Sequence, residues 1–261
     1  MISGHTHQAY NCVIDGRPVT STSSFGRIVT DMDLTLDGRS KKITSISVNN
    51  KIVTRDVTPS PIIQTLIDRY KALSDPLADR VVGTITADIT RTANAAGESA
   101  LGDVIADSQL AATAPAGLGE ADVAFMNPGG IRADLLYAPA GAEAPGEVTY
   151  EEIFTVQPFG NSLVTLTLTG AQVEAVLEQQ FCGTNAAAPR VLQPSVGFSY
   201  TYSAAAVGTA DCATADAVDP ATIAIDGVPV DPASSYRVTV NSFLATGGDG
   251  FTVLNDGTDR L

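Results

Sequence analysis

The hydrophobic positions of this chain follow two periods in turn. Between Ile28 and Leu36 the even positions read Ile28, Thr30, Met32, Leu34 and Leu36, and the odd ones Val29, Asp31, Asp33 and Thr35. That alternation predicts a strand with one buried face. Asp37-Gly38 follows as a turn signal, and Lys42–Val48 is the expected hairpin partner. A sheet of two or three strands is a poor domain by itself, so this segment reads as the end of something larger. After the stiff Thr58-Pro59-Ser60-Pro61, the residues Ile62, Ile63, Leu66, Ile67, Tyr70 and Leu73 recur at helical spacing. Asp75-Pro76 is expected to end that helix.

Beyond Arg80 strands and helices mix. Val81–Ile85 and Val123–Met126 are short apolar strand candidates, and 97–112 reads as a helix. Thr149-Tyr150-Glu151-Glu152 and Thr169-Gly170-Ala171-Gln172 fit the capping box that opens a helix. Val164, Leu166 and Leu168 alternate with threonines, and Tyr236–Val240 is a further strand. The stretch 203–219 holds few large apolar residues and is expected as an exposed loop. The sum is an α+β domain of about 180 residues, preceded by a helix and a β remnant.

Charge narrows the class. The 261 residues hold 15 Lys+Arg against 29 Asp+Glu, a net charge of −14. A coat on nucleic acid needs a dense basic surface, and docking on anionic lipid needs one too. No apolar run reaches the roughly 18 residues of a membrane-spanning helix. The start, Met-Ile-Ser-Gly-His, has neither the basic region nor the apolar core of a signal peptide, which leaves a missing leader or a cytoplasmic protein open. Three cysteines, Cys12, Cys182 and Cys212, form no C-x-x-C, and Cys182 and Cys212 stand either as a disulfide or as two thiols.

Four stretches carry candidate chemistry. In Gly4-His5-Thr6-His7 two imidazoles one residue apart can face two metal ions, or one ion and one substrate. Asn127-Pro128-Gly129-Gly130-Ile131-Arg132 follows a strand; Gly130 leaves room for a ligand, and Arg132 offers a planar fork suited to phosphate. Pro158-Phe159-Gly160-Asn161 holds an aromatic ring in a forced turn, beside an amide that can read a base edge. Phe243 opens a segment reaching Gly247-Gly248-Asp249-Gly250, where Asp249 could accept hydrogen bonds from two vicinal hydroxyls. Aromatic faces, amides, a carboxylate and arginines are what a base, a ribose and a phosphate require.

The ordered series GHTH, ES-x-LGD-x-IAD from Glu98 to Asp107, N-x-GGIRADL, IF-x-V-x-PFGN and ATGGDGF resembles the 5′-nucleotidase family of metallophosphoesterases. The resemblance covers nearly the whole chain. It implies a mixed-sheet C-terminal substrate domain at 81–261, a connecting helix at 55–80, and the tail of an α/β-sandwich metallophosphoesterase domain at 1–54. It implies that Phe159 and Phe243 sandwich the base, that Asn127 and Asn161 lie near it, that Asp249 takes the ribose hydroxyls and that Arg132 binds phosphate. Arg91 is a weaker match, and Ala95 stands where some members carry a further arginine. His5 and His7 match the last ligands of two divalent metals, zinc or manganese.

The family's D-x-H, G-D-x-x-D and G-N-H-[DE] motifs, a further upstream histidine and the catalytic His–Asp pair are absent here, and two histidines cannot hold a dinuclear centre. The chain thus reads as a fragment of a longer parent, and no catalytic residue is assigned to it. The resemblance implies an exported parent that hydrolyses phosphoesters of nucleoside monophosphates or related nucleotides, including 2′,3′-cyclic ones. The alternatives are a non-catalytic nucleoside-binding or surface module and a nucleotide-sugar hydrolase. A nucleic acid polymer is not an expected partner, and the sequence is silent on oligomeric state.

Overall fold

The structure, a computed structural model, describes residues 1–261 and divides into two compact units, Met1–Lys71 and Ala72–Leu261. No helix is long and apolar enough to cross a membrane.

The first unit is built from two antiparallel hairpins, β1 (Ala9–Ile14) with β2 (Arg17–Thr22) and β3 (Ile28–Leu36) with β4 (Ile43–Ile52). Strand β3 begins and ends where the alternation places it. The buried face expected of it is not there: Leu34, Leu36 and Ile43 are exposed, and only Val19, Thr20 and Ser21 are buried in this unit. Two-stranded ribbons have no second layer to cover them, so the alternation marks the pleat and not burial. Two side-chain amides join the hairpins: Asn11 Nδ2 donates to Val48 O at 2.8 Å, and Asn50 makes four bonds. Thr20 and Thr30 donate to Asn50 Oδ1 at 2.9 and 2.7 Å, while Asn50 Nδ2 donates to the carbonyls of Tyr10 and Ser21 at 3.0 and 3.1 Å.

Helix α1 (Pro61–Ala78) runs past Asp75-Pro76, contrary to the expected stop. Pro76 stands in the last turn, so it removes a single backbone donor, and Asp79 N–H still reaches Asp75 O at 2.9 Å. The apolar stripe of α1 is exposed along its length.

The second unit contains β5 (Val81–Thr84), α2 (Ala100–Thr113), β6 (Val123–Met126), β7 (Glu147–Thr149), α3 (Tyr150–Val156), β8 (Leu163–Thr169), α4 (Gly170–Glu178), β9 (Gln193–Pro194), β10 (Phe198–Tyr202), β11 (Val218–Ile225), β12 (Val228–Pro229) and β13 (Ser235–Asn241). Its centre is a mixed four-stranded sheet in the order β8-β13-β6-β9, with β13 parallel to β6 and antiparallel to β8. Both capping boxes form, Thr149 with Glu152 on α3 and Thr169 with Gln172 on α4. Helix α2 starts later than its periodicity predicts, because Ser99 caps it: Ser99 Oγ accepts the Gly102 N–H at 3.2 Å and donates to Gln193 at 2.9 Å.

The two faces of the sheet differ. Val123 and Phe125 of β6, Leu166 and Leu168 of β8 and Val238 and Val240 of β13 pack with Val173, Val176 and Leu177 of α4 into the larger core. Alternation turns their neighbours toward α2, and that side is mixed. Thr113 and Thr165 hydroxyls each lie 2.8 Å from Thr239 Oγ1, beside a smaller cluster of Leu101, Ile105, Met126 and Val156.

The stretch expected as an exposed loop ends buried at Ala217 and Val218, whose N–H groups donate to the Glu178 carboxylate at 3.1 and 2.7 Å. Cys182 and Cys212 are joined as a disulfide that ties this loop to the end of α4, and Cys12 is a free, exposed thiol. A cross-link over 30 residues restricts the unfolded chain. Replacing both cysteines by serine is expected to cost about 2–4 kcal/mol. Urea unfolding followed by near-ultraviolet circular dichroism measures it; an unshifted midpoint would deny the bridge a stabilising role.

Candidate functional site

Pairing of β13 on both sides decides which loops meet. Val240 faces Phe125 in the parallel ladder, and Asn241 faces Leu163 in the antiparallel one. The C-terminal ends of β6 and β13 and the start of β8 therefore share one edge, the place where open sheets bind ligands. Three loops rise there: 127–132, 159–162 and 242–251. Ser242 N–H donates to Ser162 O at 2.8 Å, which ties the second loop to the third. Asn127 Nδ2 donates to Asp249 Oδ2 at 2.7 Å, which ties the first to the third. Asn241 Nδ2 holds the Asn127 amide in turn, at 2.9 Å on its Oδ1.

Phe159 and Phe243 stand on two of these loops, 47% and 45% exposed, so neither fills a core. The Arg132 guanidinium lies over the Phe159 ring, 5.4 Å from its centroid, and also donates to Gly129 O at 3.1 Å. Phe243 lies against Gly248: a Cβ there would stand 2.5 Å from both a ring carbon and the carbonyl oxygen of Phe243. Asn161 Oδ1 accepts from Ser242 Oγ at 3.4 Å. Gly130 is hemmed in by Met126 Cε, into which a Cβ would run.

Asp249 adopts a left-handed φ of 55°. Its Oδ1 forms an ion pair with Arg190 at 2.7 Å, and its backbone oxygen accepts from Asn185 Nδ2 at 2.9 Å. Each carboxylate oxygen keeps a free lone pair for a further donor. Arg190 is a site residue that sequence reasoning missed, since it follows a featureless Ala-Ala-Ala-Pro stretch and belongs to no spaced motif. Arg91 lies beside the first loop. Its backbone N–H donates to Asp134 Oδ1 at 2.7 Å and its Nη1 to Ile131 O at 3.2 Å.

His5 and His7 belong to the first unit, both exposed and both at positive φ, with His7 edge-on to Phe25 at 5.8 Å. No group of three or more His, Cys, Asp or Glu side chains converges to hold a metal ion. The residues present therefore do not fit a dinuclear centre, which needs several ligands per ion.

Asp103 lies in the first turn of α2, within the Glu98–Asp107 block, and its Oδ1 is buried without a hydrogen-bond donor. Burial, with the like charges of Glu98 and Asp107 adding to it, pushes its carboxyl up to about 6.

The family model for the 5′-nucleotidase C-terminal domain matches residues 81–256, about two-thirds of the chain. The chain belongs to that family. Among its relatives are the cell wall protein Lmo0130 of Listeria monocytogenes and the NAD 5′-nucleotidase of Haemophilus influenzae. The first is 31% identical over 97% of this chain and 32% of its own length, the second 30% identical over 84% and 36%. The crystal structure of a 5′-nucleotidase precursor from Thermus thermophilus superposes with a TM-score of 0.68 and 26% identity, covering the whole of this chain and 52% of that one. The chain thus spans about a third of those curated relatives and half of that structure. The mixed α/β fold is the family's, and the family is one of nucleotide phosphoesterases, generally dependent on two metal ions.

Protonation of Asp103 is linked to folding. A carboxyl raised on folding stabilises the fold when protonated. That contribution is complete below its ordinary value of 3.8 and is lost as pH rises through about 6. Asp103→Asn is therefore expected to raise the unfolding midpoint at pH 8 and to leave it near wild type at pH 4. The gain is about 1 kcal/mol, because water screens a partly exposed group. Equal effects at the two pH values would contradict it.

Proposed function

We propose that this chain is the nucleotide-binding part of a 5′-nucleotidase-type phosphohydrolase that acts outside the cytoplasm. The base lies between the Phe159 and Phe243 rings, with Asn161 at its edge. Asp249, oriented by Arg190 and Asn127, accepts the ribose hydroxyls, while Arg132 and Arg91 draw the phosphate. Hydrolysis belongs to the longer protein and to metal ligands this chain does not carry; His5 and His7 would contribute to that set. Family membership supports the reaction class, and the Listeria relative, a cell wall protein, supports the location.

The observation that carries this reading is the pair of half-exposed phenylalanines on hydrogen-bonded neighbouring loops, next to a carboxylate fixed from two sides. Exposed aromatic rings cost solvation, and stacking a base on them returns about 1–3 kcal/mol per base whichever base it is. Arginine matches the phosphate geometry that a lysine would meet only as a point charge.

Calorimetry with AMP tests the binding half. Phe159→Ala and Phe243→Ala are each expected to weaken AMP binding between about fivefold and a hundredfold, as loss of one stacking face implies. Unchanged affinity in the double variant would falsify the sandwich. Gly248→Ala is expected to weaken AMP comparably while leaving both rings in the chain, since the new Cβ collides with Phe243. Phosphate release from AMP with added manganese tests the other half: none is expected from this chain alone, and robust turnover would refute the assignment of catalysis to residues outside it.

A further inference from the structure

The α2-facing side of the sheet opens into a cleft of about 510 Å³, within the range of small-molecule sites. Gly130, Phe159 and Asn161 are among its lining residues, whereas Phe243 and Asp249 are not. Its lining includes no Lys, Arg, Asp or Glu. Three amide groups converge inside on a single weak acceptor: Gln109 Nε2, Gln157 Nε2 and Asn241 Nδ2 point at Met126 Sδ from 3.5, 3.6 and 3.7 Å. Gln109 is only 5% exposed, and its Oε1 has no hydrogen-bond partner at all. Turning the amide over does not help, because one of its two polar atoms still lacks a strong partner. Buried carboxamides are otherwise satisfied, since an unmet one destabilises the fold. Beside them Tyr150 and Phe154, one turn apart on α3, stack at 6.5 Å and 21° and give the cleft an aromatic wall.

We propose that this cleft is a second ligand site, which takes a neutral planar aromatic group carrying a carboxamide or lactam edge. Such an edge offers the missing donor to Gln109 Oε1 and a strong acceptor to the amide N–H groups that now face sulfur. Its ring lies along Tyr150 and Phe154. No charged side chain lines the cleft, so a carboxylate or an ammonium ligand would be desolvated there without a direct ion pair. The inference goes beyond the nucleotide reading and does not rest on it: the cleft shares Phe159 and Asn161 with that reading, but Gln109, Gln157, Tyr150 and Phe154, which carry the proposal, have no part in it.

Benzamide is the probe and benzoate its charged control, titrated into the ¹⁵N-labelled chain. Benzamide is expected to shift the side-chain amide resonances of Gln109 and Gln157, and benzoate to leave them in place. Gln109→Met is expected to weaken benzamide about tenfold, the worth of one hydrogen bond, without lowering the melting temperature. Gln157→Leu, at a half-buried position, is expected to weaken it similarly and decides the matter if Gln109→Met does not fold. Phe243→Ala is expected to keep benzamide binding. Equal binding of benzoate, or full affinity in Gln109→Met or Gln157→Leu, would each overturn the proposal. If AMP fails to bind while benzamide behaves as expected, the nucleotide reading falls and this one stands.

Discussion

Strand β13 is hydrogen-bonded along both edges, parallel to β6 and antiparallel to β8. Parallel pairing puts two carboxyl ends on one side of the sheet, and antiparallel pairing adds the beginning of a third strand. Loops that are far apart in the chain become neighbours there. The Ser242–Ser162 and Asn127–Asp249 bonds then fix them to one another. Slipping β13 by one residue would exchange Val238 and Val240 with Thr239 and Asn241. It would bury hydroxyls in the apolar core and turn the loops away, so the register is held by the hydrophobic pattern on one face.

Electrostatics at the site run against the protein as a whole. A chain of net charge −14 repels an anionic ligand at long range, and salt at 0.1 M confines that repulsion to about 10 Å. Within that distance the local arrangement decides. Arg132 and Arg91 flank the first loop, while Arg190 pairs with Asp249, whose side chain keeps little exposure. Pairing with Arg190 and Asn127 holds that carboxylate in place without exhausting its lone pairs. A residue in left-handed backbone between glycines is thereby kept in one orientation.

The two sides of the central sheet have divided the work. Against α4 the strands present Val, Leu and Phe and supply the core. Against α2 they present threonines, an asparagine and Met126, an interior with a hydroxyl chain and a glutamine left partly unmet. Polar interiors of this kind stabilise less than apolar ones, and they are where a fold has capacity to recognise something. The first unit has neither resource: its buried set is one valine and two hydroxyl residues, and its hairpins are joined through Asn11 and Asn50.

Much of this was legible without coordinates, and each success has a local cause. Strand β6 falls where its four apolar residues stand, β3 keeps its alternation, and both capping boxes form, because these are decided by neighbours within a turn or two. Helix α1 runs two residues past Pro76, since a proline near a helix end removes only one bond. The order of motifs was enough to give the family. Several features could not be read that way. Arg190 reaches Asp249 from a segment with no signature, Cys182 finds Cys212 across a folded loop, and the hairpins of the first unit stay uncovered despite their alternation. The linear order of residues determined the local elements and the residue types available for chemistry. Which side chains meet, and which buried amide is left without a partner, was decided by strand pairing across long stretches of chain, where each contact depends on every other one already being in place.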